Sequence, residues 1–256
     1  MSIILKSASE ISAMREAGKV VAKVHAAIEK AIAVGVTSKE LELVSIECLK
    51  EHNAISSFYD YEGSFGAGCY PAHVCISINE EVIHGIPSLR KLADGDIVSI
   101  DVGAYKNGFH GDAARSYVVG NAGEQDKQLV EATRESFYKG LEFAKAGRNL
   151  YDISAAIHEH VKSQGFSIIR DFMGHGIGKD LHEDPGIPNY RPIGAGRGPR
   201  LAAGMTLAIE PMTAIGLGSV HILADKWTVV TKDGSKSAHY ENTILITDGE
   251  PEILTI

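Results

Sequence analysis

Three short segments of this chain recur in the same order, and no other feature constrains its fold as strongly. LADGDIVSID at 92–101 resembles LAAGMTLAIE at 201–210, which sets Asp101 against Glu210. HGD at 110–112 resembles HYE at 239–241, which sets Asp112 against Glu241, and HGIP from His84 resembles HGIG from His175. Internal self-similarity of this kind marks repeated architecture. Helix signals repeat as well. Ser7 with Glu10 and Thr37 with Glu40 read as capping boxes opening two helices, and 124–145 with 149–164 read as a second helix pair ahead of a second set of strands. The expectation is a single α/β domain over 1–256, built from duplicated half-domains at roughly 7–120 and 124–250. Convergent strand grammar is the plainer alternative, but it does not explain why acids recur at matching strand positions.

Those acids are the anomaly. DIVSIDVGA is otherwise a buried type of strand, and an unpaired carboxylate inside it would cost several kcal/mol. Asn107-Gly108 is a strong two-residue hairpin signal. Counting outward from it sets Lys106 against Phe109, Gly103 against Asp112 and Asp101 against Ala114. Asp101 and Asp112 then share a face as diagonal neighbours, with Cα atoms about 7 to 8 Å apart. Cations of a two-metal site, about 3.5 to 4 Å apart, would fit between such a pair. A solvated face would account for Asp112 but poorly for Asp101. Glu210, stopped by Pro211, and Glu241, inside AHYENTILIT, supply the second pair, and His175 supplies a nitrogen. Two Asp, two Glu and one His form an oxygen-rich set suited to Mn²⁺, Fe²⁺, Co²⁺ or similar ions and unlike a structural zinc knot.

MGHGIGKDLHEDP at 173–185 carries His175 and His182, seven apart. That spacing would place both on one helix face, but Gly174, Gly176 and Gly178 argue against a helix, so the segment reads as a loop. In isolation such a pair is ordinarily explained by turns and hydrogen bonds, and partners elsewhere must decide its role.

Composition narrows the function. With 25 basic and 33 acidic residues the net charge is -8, which disfavours nucleic acid as a substrate. Cys48, Cys69 and Cys75 form no CxxC pair, which fits a reducing compartment. No signal-type or membrane-length apolar run occurs, so a cytoplasmic protein without membrane association is expected.

With the five candidate ligands in order, the chain resembles the type I methionine aminopeptidases of the bacterial kind, within the pita-bread metallopeptidase family M24. The resemblance spans essentially the whole chain. CISINEEVIHGIP (75–87), DGDIVSIDVGAYKNGFHGDAA (94–114), GHGIGKDLHEDP (174–185), LAIEPM (207–212) and WTVVTKDGSKSAHYENT (227–243) carry it. It implies a pita-bread fold, a pseudo-twofold duplication around a curved, mainly antiparallel sheet flanked by helices.

It further implies that Asp101, Asp112, His175, Glu210 and Glu241 bind two divalent ions, Co, Mn, Fe, Zn or Ni, with Asp112 and Glu241 bridging. His84 would contact the scissile amide nitrogen and His182 the carbonyl side. Glu210 would shuttle a proton from the nucleophilic hydroxide to the leaving amine. Tyr70, Cys75, Leu181 and Trp227 would line the methionine pocket, although core packing would equally account for Cys75, Leu181 and Trp227. Asn79 would help to hold one Na⁺ or K⁺. The implied substrates are N-terminal methionyl peptides and nascent chains with a small second residue, met at the ribosome by a monomeric enzyme.

Departures from the family pattern fall at Ser64 and Ala67, where relatives often carry a cysteine and an aromatic, at Leu181, often phenylalanine, and at Asn242, usually histidine. None removes a ligand. Two rival readings share the fold: a proline-directed peptidase using the same metals, and a catalytically dead peptide-binding domain.

Overall fold

The structure, a computed structural model, describes residues 2–63 and 66–256. Both N-terminal capping boxes form. The Ser7 and Thr37 side chains accept from the backbone N–H groups of Glu10 and Glu40, whose carboxylates accept from the cap N–H groups in return. These close the free N-terminal donors of α1 (Ala8–Ala31) and α2 (Ser38–Glu51). Met14, Ala17, Val21, Val24 and Ile28 make one fully buried stripe along α1. Burial of a Val, Ile or Met of this kind contributes about 1.5 to 3 kcal/mol.

The first half of the chain continues with β1 (Ile55–Ser56), β2 (Cys75–Ile78), β3 (Glu81–Ile83), β4 (Ile97–Lys106) and β5 (Phe109–Val118). Then come α3 (Glu124–Leu141) and α4 (Leu150–Ser163), followed by β6 (Ser167–Ile168), β7 (Met173–Gly176), β8 (Glu183–Pro188), β9 (Thr206–Ile209) and β10 (Met212–Ala214). The chain finishes with β11 (Val220–Ile222), β12 (Val229–Thr231), β13 (Ser237–His239), β14 (Asn242–Leu245) and β15 (Glu252–Ile253). Every strand pairing given for the described residues is antiparallel.

Two sheets position the site. In one, β4 pairs with β1, β2 and β5; the other runs in the order β15-β14-β9-β7-β8. Val24, Leu41, Ile76 and Ile100 form a core beneath the first helix pair, while Phe137, Ile153, Leu207 and Ile244 form another beneath the second. The sheets are stitched at their seam. Asp112 N–H donates to the Thr243 hydroxyl, which donates back to Asp112 C=O, and Glu241 N–H donates to Ala114 C=O, all at 2.9 Å.

Helix α1 crosses β5 almost backbone to backbone. A Cβ on Gly111 would lie 2.9 Å from Gly18 N, so the middle residue of the HGD segment has to be small for the strand to carry Asp112 to the seam.

Candidate metal centre

The β4–β5 hairpin turns at Asn107 and Gly108, both at positive φ, as a two-residue primed turn requires. Its register pairs Lys106 with Phe109, Gly103 with Asp112 and Asp101 with Ala114, which is the outward count from Asn107-Gly108. Alternation then sends both aspartates to one face. Their exposures reverse the sequence expectation. Asp112 is only 4 % exposed while Asp101 is partly open, because Thr243 of the second sheet is hydrogen-bonded onto the Asp112 backbone.

The other three candidates come from adjoining strands. His175 on β7 pairs with Ala208 on β9, Glu210 directly follows that strand and precedes Pro211, and Glu241 directly precedes β14, where Asn242 pairs with Ile209. The 173–185 segment is therefore a loop only in its middle. It forms β7, a six-residue connection over 177–182 that carries His182, and the start of β8, with a register shift between Gly174 and Gly176. Cβ atoms there would lie 2.3 Å from Ala208 O and 2.2 Å from Asp184 O. The first two glycines admit neighbouring backbone; they do not make turns.

One ligand atom each from Asp112, His175 and Glu241 lies within 4.8 Å of the others. His175 Nε2 is 3.6 Å from Glu210 Oε1. His175 Nδ1–H donates to Gly176 C=O at 2.8 Å, which leaves the Nε2 lone pair facing the acids. Asp101 Oδ1, Asp112 Oδ1 and Glu241 Oε1 are buried without a hydrogen-bond partner.

Without a cation this arrangement is costly. Burial pushes the Asp101 carboxyl up to about 7. Burial and then the charge of Asp101 raise Asp112 and Glu210 well above the usual range, and burial followed by the charge of Asp112 does the same to Glu241. Burial holds His175 down to about 3 and therefore neutral, the form that ligates. Orphaned carboxylate oxygens, a neutral imidazole with its lone pair aimed among them, and mutual repulsion fit hard to borderline divalent cations.

The acids line a cavity of about 540 Å³. Tyr70, Cys75, Leu181, Trp227, His84 and His182 line it too. Tyr70 and Trp227 meet edge to face at 5.1 Å, and the Tyr70 hydroxyl donates to Gly85 C=O at 2.9 Å. His84 has φ 58°, uncommon for a non-glycine residue, and stands edge-on to Trp227 at 6.2 Å. Burial lowers it to about 4, so its ring is neutral.

Asn79 does not line the cavity. Its amide donates to Asp96 and accepts from Ile97 N–H, while its backbone carbonyl takes the Ser237 N–H and hydroxyl. Ala67 lies on the cavity wall, and Ser64 lies outside the described residues. The Asn242 amide oxygen accepts from Arg115 and from the Thr255 hydroxyl, while its Nδ2 is buried without a partner.

Sequence reasoning missed Tyr61, Phe58 and Phe172 on the walls, and His239, whose Nε2 is 3.8 Å from Glu210 and 3.9 Å from Glu241. The HYE match sets His239 against His110, a signal that could have found it. Nothing in spacing pointed to Tyr61.

The sequence profile of metallopeptidase family M24 matches residues 12–248. The methionine aminopeptidase of Clostridium acetobutylicum is 51% identical over 256 residues, covering 99% of both chains. Methionine aminopeptidase 1 of Bacillus subtilis is 51% identical over 253 residues with the same coverage. The crystal structure of a methionine aminopeptidase from Thermotoga maritima superimposes with a TM-score of 0.94 at 46% identity, covering 99% of each chain.

Proposed function

The chain belongs to metallopeptidase family M24, and on that membership we propose how its residues release the amino-terminal methionine of a peptide. It has the pita-bread fold and is a metal-dependent aminopeptidase, a hydrolase. The observation that carries the mechanism is the cluster of four raised carboxylates and one neutral histidine on the wall of a largely apolar cavity.

We assign Asp101, Asp112, His175, Glu210 and Glu241 as ligands of two divalent ions. Such ions, when bound, supply Lewis acidity and a water acidified toward neutrality. Asp112 and Glu241 are the most buried of these carboxylates, at 4 % and 2 %, and would hold the ions at the deepest part of the site. Glu210 is raised by burial and stands between His175 and His239. It takes the proton of the attacking water and passes it to the leaving amine.

Asp101, the more open aspartate, would together with one of the ions receive the substrate's free α-amine. An internal peptide bond has no amine to offer, which makes the enzyme an exopeptidase. His182 stabilises the carbonyl oxygen as it gains charge, and His84 meets the scissile nitrogen. Tyr70, Cys75, Leu181 and Trp227 hold the methionine side chain, whose thioether is favoured by polarizable and aromatic neighbours. The natural substrates in this reading are nascent chains in the cytosol whose second residue is small. No described helix is long and apolar enough to cross a membrane. The two helix-pair assemblies are read as duplicated halves, 7–120 and 124–250.

Titration of chelator-treated protein with Mn²⁺, Co²⁺ or Fe²⁺, followed by calorimetry and by turnover of Met-Ala-Ser, Met-Lys-Ser and Xaa-Pro peptides, tests this reading. Two ions bound and turnover of Met-Ala-Ser alone are expected. Equal turnover of Met-Lys-Ser would sink the small-residue preference, and preferential Xaa-Pro cleavage would sink the methionine assignment.

A further inference from the structure

His182 can stabilise a developing oxyanion only if the nitrogen facing the substrate carries a proton. A neutral imidazole has one N–H, so the tautomer decides whether it can donate. The Tyr61 hydroxyl lies 2.6 Å from His182 Nδ1, and the two rings meet edge to face at 5.2 Å. We propose that Tyr61 is a positioning residue that donates its phenolic proton to His182 Nδ1 and so holds the Nε2–H tautomer toward the substrate. The inference rests on the role given to His182 above.

Three observations carry it. A phenol O–H is a stronger acid than a neutral imidazole N–H, and an imidazole nitrogen is a better acceptor than a phenol oxygen, so O–H···N is the favoured sense of this contact. Tyr61 is also held in place. Tyr70 N–H donates to Tyr61 C=O at 2.9 Å, Tyr61 N–H donates to Phe58 C=O at 3.0 Å, and Asp60 N–H donates to Tyr70 C=O at 3.0 Å. The segment carrying Tyr61 is thereby laced to the segment that places Tyr70 in the pocket.

The His182 side is fixed as well. Leu181 before it is 5 % exposed. Glu183 after it accepts from Lys6 Nζ and from Lys179 N–H. The His175 and His182 rings meet at a steep angle, 62°, with centroids 4.3 Å apart. With the backbone and ring plane set, the proton's position is the remaining freedom, and the Tyr61 contact settles it.

The test uses Zn²⁺-loaded enzyme with ¹⁵N-labelled histidine, the His182 signals being those lost in His182→Ala. Wild type should show an unprotonated Nδ1 that accepts a hydrogen bond and a protonated Nε2, and Tyr61→Phe should show a mixture of tautomers. Turnover of Met-Ala-Ser should fall about tenfold in kcat in Tyr61→Phe, the value of one hydrogen bond, with KM and bound metal unchanged. In a His182→Ala background the same substitution should change nothing. A protonated Nδ1 in wild type, or an unchanged kcat in Tyr61→Phe while His182→Ala is impaired, overturns the inference and leaves the catalytic reading standing. Full activity in His182→Ala overturns the reading itself.

Discussion

Removing the metal should give the protein a stability that falls as pH rises, and Asp101 shows by how much. Its carboxyl is raised by burial from the ordinary aspartate value to about 7. At about 1.4 kcal/mol per unit, full ionisation of that group costs the folded metal-free state on the order of 4 kcal/mol. The folded protein holds this proton more tightly than the unfolded chain does. The contribution is therefore fully present below about pH 4, where both states are protonated, and is lost as pH rises through about 7. For a chain of this length such a cost lowers Tm by about 8 to 16 °C.

Calorimetric scans of chelator-treated wild type and Asp101→Asn, between about pH 5 and about pH 8.5, report the effect because the amide cannot ionise, together with the relief of Asp112 and Glu210, which the Asp101 charge raises. Wild type should lose Tm relative to Asp101→Asn as pH rises. Saturating Mn²⁺ should reverse the slope, since cations bind the ionised carboxylates. Parallel profiles for the two metal-free proteins across that range would refute the argument.

Other consequences are as direct. Lys6 and Glu183 form an ion pair with side chains 3 % and 5 % exposed. Lys6→Met, which leaves the buried carboxylate with backbone N–H donors but without its cation, should cost about 3 to 5 kcal/mol in urea unfolding, and a loss near zero would show that water reaches Glu183. His175→Ala should bind metal weakly and regain part of its activity in excess metal. His182→Ala should keep its metal and lose about 10² to 10³ in kcat; elemental analysis beside kinetics checks both, and a metal-deficient His182→Ala would contradict the division of roles. Gly111→Ala should destabilise by about 1 to 3 kcal/mol, because its Cβ meets the Gly18 backbone at 2.9 Å; an unchanged urea midpoint would mean that α1 shifts freely.

What the sequence determined by itself was set by local physics. Capping at Ser7 and Thr37 depends on residues three apart, and the turn at Asn107-Gly108 settles the whole β4–β5 register because side chains alternate with a fixed period of two. An acid inside an apolar strand announces that it needs a partner wherever the strand ends up, so Asp101, Asp112, Glu210 and Glu241 stood out before any fold was known.

Tertiary structure decided what depends on partners far along the chain. Asp112 rather than Asp101 is the deeper acid because Thr243, 131 positions away, lies over it. The 173–176 segment is a strand because its glycines receive the backbone of Ala208 and Asp184, and glycine in a sequence does not say whether it turns the chain or admits a neighbour. Tyr61 reaches His182 across 121 positions of sequence. Periodicity cannot encode such a contact, because it exists only once two sheets and a connecting segment have closed over one cavity.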